Sequence, residues 1–306
     1  MITYNPKDWF TFIFRIHKSE TFRELIPLMI GVIIYSAGIS YLELHTILSK
    51  EALELTKSIS FIFTILGFTL SFLLVFRTNS AYERWWEGRK IWGELTNSSR
   101  AFASHMNGIL SPYDVQERKT LVAFLSCYAY ALQAHLKNEK IDDKYYQEVL
   151  NESFLKHHQI QIEQAKHQPL EIHKKLVAYV HQLYQNGKTG TQEIYHFKHE
   201  LHKLIDACGA CERIKNTPIP FSYSVFLKKF IFFYVMLFPI IYGIHMSYFI
   251  IPVTVFILYV FASIELIAEE IEDPFNGDPN DLPTFEMSLN IGNNVKSILS
   301  EVKSNG

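Results

Sequence analysis

Residues 58–76 form a run of about 19 residues without a charge, and the chain continues with no proline into Arg77-Thr78-Asn79-Ser80-Ala81-Tyr82-Glu83-Arg84-Trp85-Trp86-Glu87-Gly88-Arg89. A helix of that length and apolarity is long enough to cross a bilayer core. Only Gly67 interrupts it, so the same helix is expected to run on into water, with Trp85, Trp86 and several arginines where a membrane surface would lie. It should therefore join a membrane part to a polar part. Within it Phe68, Phe72 and Phe76 recur every four residues, which sets three rings on one helical stripe. That stripe is either a packing seam or the lining of a passage, and spacing alone leaves both open.

The surrounding chain supports a membrane reading. Residues 25–42 form a second apolar run, longer than a signal core and with no small-residue cleavage site after it. Lys7, Arg15, Lys18 and Arg23 precede this run, whereas Lys50 and Lys57 beyond it are offset by Glu43, Glu51 and Glu54. Basic flanks stay in the cytoplasm, so the N-terminus is expected inside. Residues 1–23 mix Trp9, Phe10, Phe12 and Phe14 with Lys and Arg, which suits a segment lying at the cytoplasmic interface. Residues 230–264 carry no Asp, Glu, Lys or Arg. At about 35 residues this is too long for one span and suits two tightly joined ones, 230–243 and 246–264, with Pro239, Gly243 and His245-Met246-Ser247 as the turn. With spans at 25–42, 58–76, 230–243 and 246–264, both termini fall in the cytoplasm.

Between the second and third spans, residues 94–217 read as soluble helices with no strand alternation. Ser111-Pro112 is expected to open a helix running to about Lys137, with Ser111 as N-cap and Pro112 in its first turn. Breaks are expected at 138–143, at Gln168-Pro169 and at Asn186-Gly187-Lys188, and Thr191 can cap the helix that carries Cys208 and Cys211. The segment 265–306 follows the last span and should end as a short helix plus an extended tail on a neighbouring subunit. The fold class is thus an all-α membrane protein: four transmembrane helices per subunit and a helical cytoplasmic bundle.

Several chemistries find no footing. A formal net charge of −2 lacks the basic surplus that nucleic acid requires. Three cysteines are too few and odd in number for a disulfide framework, which places the polar part in a reducing compartment. Cys208-x-x-Cys211 with His199 and His202 could in principle offer four zinc ligands. All four sit on one expected helix, which cannot easily wrap a tetrahedral ion. No Gly-x-Ser-x-Gly elbow, Walker loop or Gly-x-Gly-x-x-Gly is present, so an enzyme is not expected. The other histidines are expected to form solvated faces.

The wording of the central helix resembles the second helix of the bestrophin ion channels, in Gly67-Phe68, in the Phe-x3-Phe-x3-Phe run and in Arg84-Trp85-Trp86. Tyr82-Glu83-Arg84-Trp85-Trp86-Glu87-Gly88-Arg89 is similar to the bacterial branch. The resemblance implies five subunits around one axial pore, with Phe68, Phe72 and Phe76 as its neck. Glu212-Arg213-Ile214-Lys215-Asn216-Thr217-Pro218-Ile219-Pro220 matches the family's segment before span three, which implies a second constriction at the cytosolic mouth formed by Ile219. Glu272-Asp273-Pro274-Phe275 resembles the family's Asn-Pro-Phe turn and the acidic cluster after it, which in animal members clasps calcium. Asp273, Asp278 and Asp281 stand at ligand positions, but Asp273 replaces the Asn and Gly277, Pro279 and Asn280 interrupt the acidic run.

The resemblance covers nearly the whole chain, with its motifs in the family's order. It implies a homopentameric channel of a bacterial inner membrane that passes small monovalent ions passively. No cofactor is implied other than calcium. Animal members conduct anions and bacterial relatives can favour monovalent cations, so the apolar pore positions leave chloride and sodium both open. A membrane-anchored structural or signalling protein, whose spans merely hold the helical bundle, is the rival from another class.

Overall fold

The computed structural model describes residues 20–45, 50–139, 162 and 164–300. The expected interfacial segment before residue 20 and the tail beyond residue 300 lie outside these residues, as do 46–49 of the loop after span one and most of the break expected at 138–143. Among the described residues every regular element is helical: α1 Glu20–His45, α2 Lys50–Ile109, α3 Val115–Leu136, α4 Gln168–Gln185, α5 Thr191–Asn216, α6 Phe221–Met246, α7 Ile250–Glu272 and α8 Thr284–Ser300, with a 3₁₀ turn Ser247–Phe249 between α6 and α7. The 60 residues of α2 rise about 90 Å.

The chain forms two compact units, divided within α2 at Arg84 and Trp85 and again before Pro218 and after Glu272. The first holds α1, the N-terminal part of α2, α6 and α7. Among the described residues three stretches are long and apolar enough to cross a membrane, Thr21–His45, Ser58–Ile109 and Phe221–Glu272. The last contains two helices, α6 and α7. They run antiparallel, because Lys228 near the start of α6 pairs with Glu269 near the end of α7 at 2.8 Å while the 3₁₀ turn joins their other ends.

The turn falls at the Met246-Ser247 end of the expected stretch and not at its proline and glycine. Pro239 and Gly243 both lie inside α6, and the chain reverses only after Met246, where Ser247 takes a left-handed φ of 49°. A Cβ at Gly243 would displace the carboxylate end of the Glu43 side chain of α1. At Gly67 of α2 a Cβ would strike the Tyr234 hydroxyl of α6. Pro27, expected in the first turn of its helix, is interior because α1 begins at Glu20, so one backbone hydrogen bond is missing there.

The core of this unit joins Val32, Leu70, Leu74, Leu227, Ile231, Val235 and Leu258. Along α2 its packed face runs Phe63, Leu70, Leu74, Arg77 and Ala81, all buried, at the three- and four-residue steps of an ordinary helix seam. Phe63 stacks on Tyr234 at 4.2 Å, and Tyr223 and Tyr242 of α6 donate to the α2 carbonyls of Leu73 and Ser60.

The second unit is built around α3. From Thr120 to Leu136 this helix is buried on nearly every side, which an all-round apolar helix requires. α4, α5 and α8 pack against it, and Phe102 of α2 meets Phe197 of α5 edge to face at 5.4 Å. The helix starts later than Ser111-Pro112 suggested. Those residues form a turn closed by Asp114, whose carboxylate accepts the Ser111 N–H at 2.8 Å, so Asp114 sits at the cap position. The short helix expected after the acidic turn is α8, which packs on α3 with Arg118 donating to the Leu299 carbonyl at 3.2 Å, and the expected extended end lies outside the described residues.

Candidate pore helix and cytosolic mouth

Phe68, Phe72 and Phe76 lie on the side of α2 away from its packed face. They are 74%, 54% and 51% exposed, whereas Leu70 and Leu74 are 0% and 2% exposed. The rings follow one another along the helix, Phe68 stacked on Phe72 at 6.4 Å and Phe72 edge-on to Phe76 at 4.7 Å. Among the described residues, then, the stripe is not a seam. Three consecutive aromatic rings on the open face of an apolar helix require something beyond the described residues to face, such as lipid, another copy or a lumen.

One residue beyond Phe76, the backbone turns Arg77 to the packed side, where its guanidinium is 1% exposed. Its Nη2 reaches Glu272 Oε2 at 2.7 Å and its Nε reaches Glu265 Oε1 at 3.4 Å. Buried charges persist only when paired and hydrogen-bonded. The other oxygen of Glu272 accepts the backbone N–H of Ile219 at 2.6 Å. Arg84 caps the same helix end by donating to the Glu272 carbonyl at 2.9 Å, in keeping with a cation at a helix C-terminus. Ile219, half-buried, is thereby tied through one carboxylate to the residue after Phe76.

Periodicity within one helix does not reveal this network, because its charges lie on different helices beyond the ends of the uncharged runs. A signal was present: Glu265 and Glu272 are the first acidic residue after the run 230–264 and the residue seven positions later, hence on one face of α7.

The acidic turn after α7 belongs to the second unit. Phe275 and Leu282 are buried against Gly88 of α2, where an added Cβ would lie 3.1 and 3.2 Å from them, and Trp85 donates to the Asn280 carbonyl at 3.0 Å. Asp281 folds back on the turn, its Oδ2 accepting the N–H groups of Gly277 at 2.6 Å and Asp278 at 2.9 Å. Burial pushes the Asp281 carboxyl up to about 6 against the pull of those two bonds. Its Oδ1 is buried without a hydrogen bond, a feature that suits a cation. The other two positions suit one less well. Asp278 is exposed and accepts from the Asn276 amide at 3.3 Å, and Asp273 is half-buried.

Cys208 and Cys211 are buried in the core of the second unit, while His199 and His202 on the same helix are exposed. Burial pushes the Cys208 thiol up to about 12 and that of Cys211 higher still, which disfavours the thiolate a metal or redox role needs.

Comparison with known proteins agrees with this architecture. A profile of the bacterial and fungal bestrophins matches residues 1–297. The voltage-dependent anion channel-forming protein alr2987 of Nostoc is 30% identical over 234 residues, 76% of this chain and 75% of that protein. The voltage-dependent anion channel-forming protein YneE of Salmonella typhi is 26% identical over 284 residues, 92% of this chain and 89% of its own length. The crystal structure of a bacterial bestrophin homologue from Klebsiella pneumoniae superposes with a TM-score of 0.74 at 24% identity, covering 88% of this chain and 98% of that one. The chain belongs to the bacterial/fungal bestrophin family.

Proposed function

We propose that the chain forms a passive anion channel in a bacterial inner membrane, as a homopentamer whose α2 helices surround one axial pore. The observation that carries this is the open aromatic stripe: Phe68, Phe72 and Phe76 are exposed on an apolar helix whose opposite face is fully packed. Around an axis they make three apolar rings that strip water from an ion and gate by dewetting. The positive edges of aromatic rings offer a dehydrated anion some compensation, and the names of the relatives point to the same sign. Ile219 forms the second constriction. The four spans are 25–42, 58–76, 230–243 and 246–264, with both termini cytoplasmic, and the antiparallel α6–α7 pair supports counting two spans in the last stretch.

Calcium is not required for conduction in this reading. Asp281 Oδ1 is available, but Asp281 Oδ2 is taken up by backbone N–H groups and the acidic run is broken. If calcium binds there, Asp273, Asp278 and Asp281 supply the carboxylate oxygens such a hard cation takes.

The test is the reversal potential of purified protein in liposomes or planar bilayers under a NaCl gradient. A potential at the chloride side supports the proposal, one at the sodium side replaces it with a cation channel of the same fold, and no flux favours a membrane-anchored structural role.

A further inference from the structure

The loop ends of the second unit bring together three side chains that sequence spacing does not associate. His135 lies in the last turn of α3, His167 is the N-cap residue of α4, and Glu212 is on α5. His135 Nε2 stands 2.7 Å and His167 Nε2 2.8 Å from the same carboxylate oxygen, Glu212 Oε1. The two rings are 4.5 Å apart and inclined at 32°. Among the described residues these three form a set of His, Cys, Asp or Glu whose ligand atoms all lie within 4.8 Å of one another.

We propose that His135, His167 and Glu212 form a binding site for a divalent transition-metal ion of the zinc class. Two imidazole nitrogens and one carboxylate oxygen are the donors such ions prefer, whereas calcium and magnesium prefer oxygen alone. Three protein ligands leave a fourth tetrahedral position for water. The side chains are 30%, 31% and 28% exposed, so an ion can enter from solvent while the helices hold the ligands. Burial draws the Glu212 carboxyl upward, but hydrogen bonds from His135 and His167 outweigh it and hold the group below its ordinary value, in the ionised form a metal needs.

The same geometry sets the cost of binding. His167 Nδ1 accepts the Leu170 N–H at 3.2 Å, so the neutral ring carries its proton on Nε2. To ligate through Nε2 the proton must move to Nδ1, and the Leu170 N–H loses its acceptor. The metal therefore exchanges a helix cap for a coordinate bond, and the site is expected to bind reversibly. Once bound, the ion ties the C-terminal end of α3 and the start of α4 to α5.

The experiment uses the full-length, tag-free protein, stripped with chelator and titrated with Co²⁺. The expected result is a visible d–d absorption band saturating at one ion per chain, displaced by Zn²⁺, together with a zinc-dependent rise in the thermal unfolding temperature. His135→Ala and His167→Ala should abolish the band, and Glu212→Gln, which keeps the shape of the site, should weaken binding by about tenfold or more. The double variant His199→Ala/His202→Ala should bind as wild type. Absence of a saturable band in the wild type, or a band that survives both single histidine variants, overturns the proposal. None of these readouts depends on ion conduction.

Discussion

Glu272 uses one carboxylate oxygen to bind the buried guanidinium of Arg77 at 2.7 Å and the other to accept the Ile219 N–H at 2.6 Å. Phe76 precedes Arg77, so the last ring of the aromatic stripe and the residue at the expected cytosolic mouth share a two-bond bridge. Glu272→Gln keeps an oxygen for one partner but removes the nearer of the two charges that face Arg77. The expected outcome is a shift in single-channel conductance in the same direction as Ile219→Ala, with the oligomer retained on size exclusion. Glu272→Ala leaves the buried Arg77 with only the longer Glu265 contact at 3.4 Å and should cost on the order of 3–5 kcal/mol. A conductance indifferent to both Glu272→Gln and Ile219→Ala would place Ile219 among packing residues.

Truncation of the aromatic stripe separates lumen from seam. Phe72 is 54% exposed in the chain. Facing a lumen, Phe72→Ala should raise ion flux in liposomes at little cost in stability. Buried between subunits, the same change should cost about 3–5 kcal/mol, with loss of oligomer and no gain in flux. Intact oligomers with unchanged or lower flux across Phe68→Ala, Phe72→Ala and Phe76→Ala would remove the pore assignment.

Conduction should be the same in calcium and in chelator. The broken acidic run and the closure of the turn through Asp281 Oδ2 motivate this expectation. Paired current recordings decide it: a steep calcium dependence abolished by Asp278→Ala would show that the turn binds calcium after all.

Acid should loosen the second unit through Asp114. This carboxylate accepts from Lys188 and from the Ser111 N–H, and the Lys188 hydrogen bond is the largest influence holding it below the ordinary aspartate value of 3.8, against some desolvation. A depressed carboxylate stabilises the fold above its unfolded value and loses that contribution as pH falls through the folded one. Unfolding monitored between pH 6 and about pH 3 should show the wild type losing stability below roughly pH 4. Asp114→Asn should start less stable at pH 7 and show a shallower decline. Parallel curves for the two proteins would remove Asp114 from the acid response.

Much of the architecture was legible because bilayer physics writes long, uncharged runs into the chain. The apolar run 58–76, its continuation past Arg77 and the doubled run 230–264 all became helices, and the motif order identified the family. Helix boundaries were less legible. Pro239 and Gly243 looked like a turn, yet both lie inside α6, which continues to Met246. What only the tertiary structure decided is which face of each helix is used. The i, i+4 spacing of Phe68, Phe72 and Phe76 fits a seam and a lumen equally, and the packing of Leu70, Leu74 and Arg77 on the other side turned the rings outward. The most distant pair is 195 positions apart in the set of Arg77, Glu265 and Glu272 and 77 positions apart in the set of His135, His167 and Glu212. Such sites form only when helices distant in sequence pack side by side, and periodicity within one helix carries no record of its neighbours.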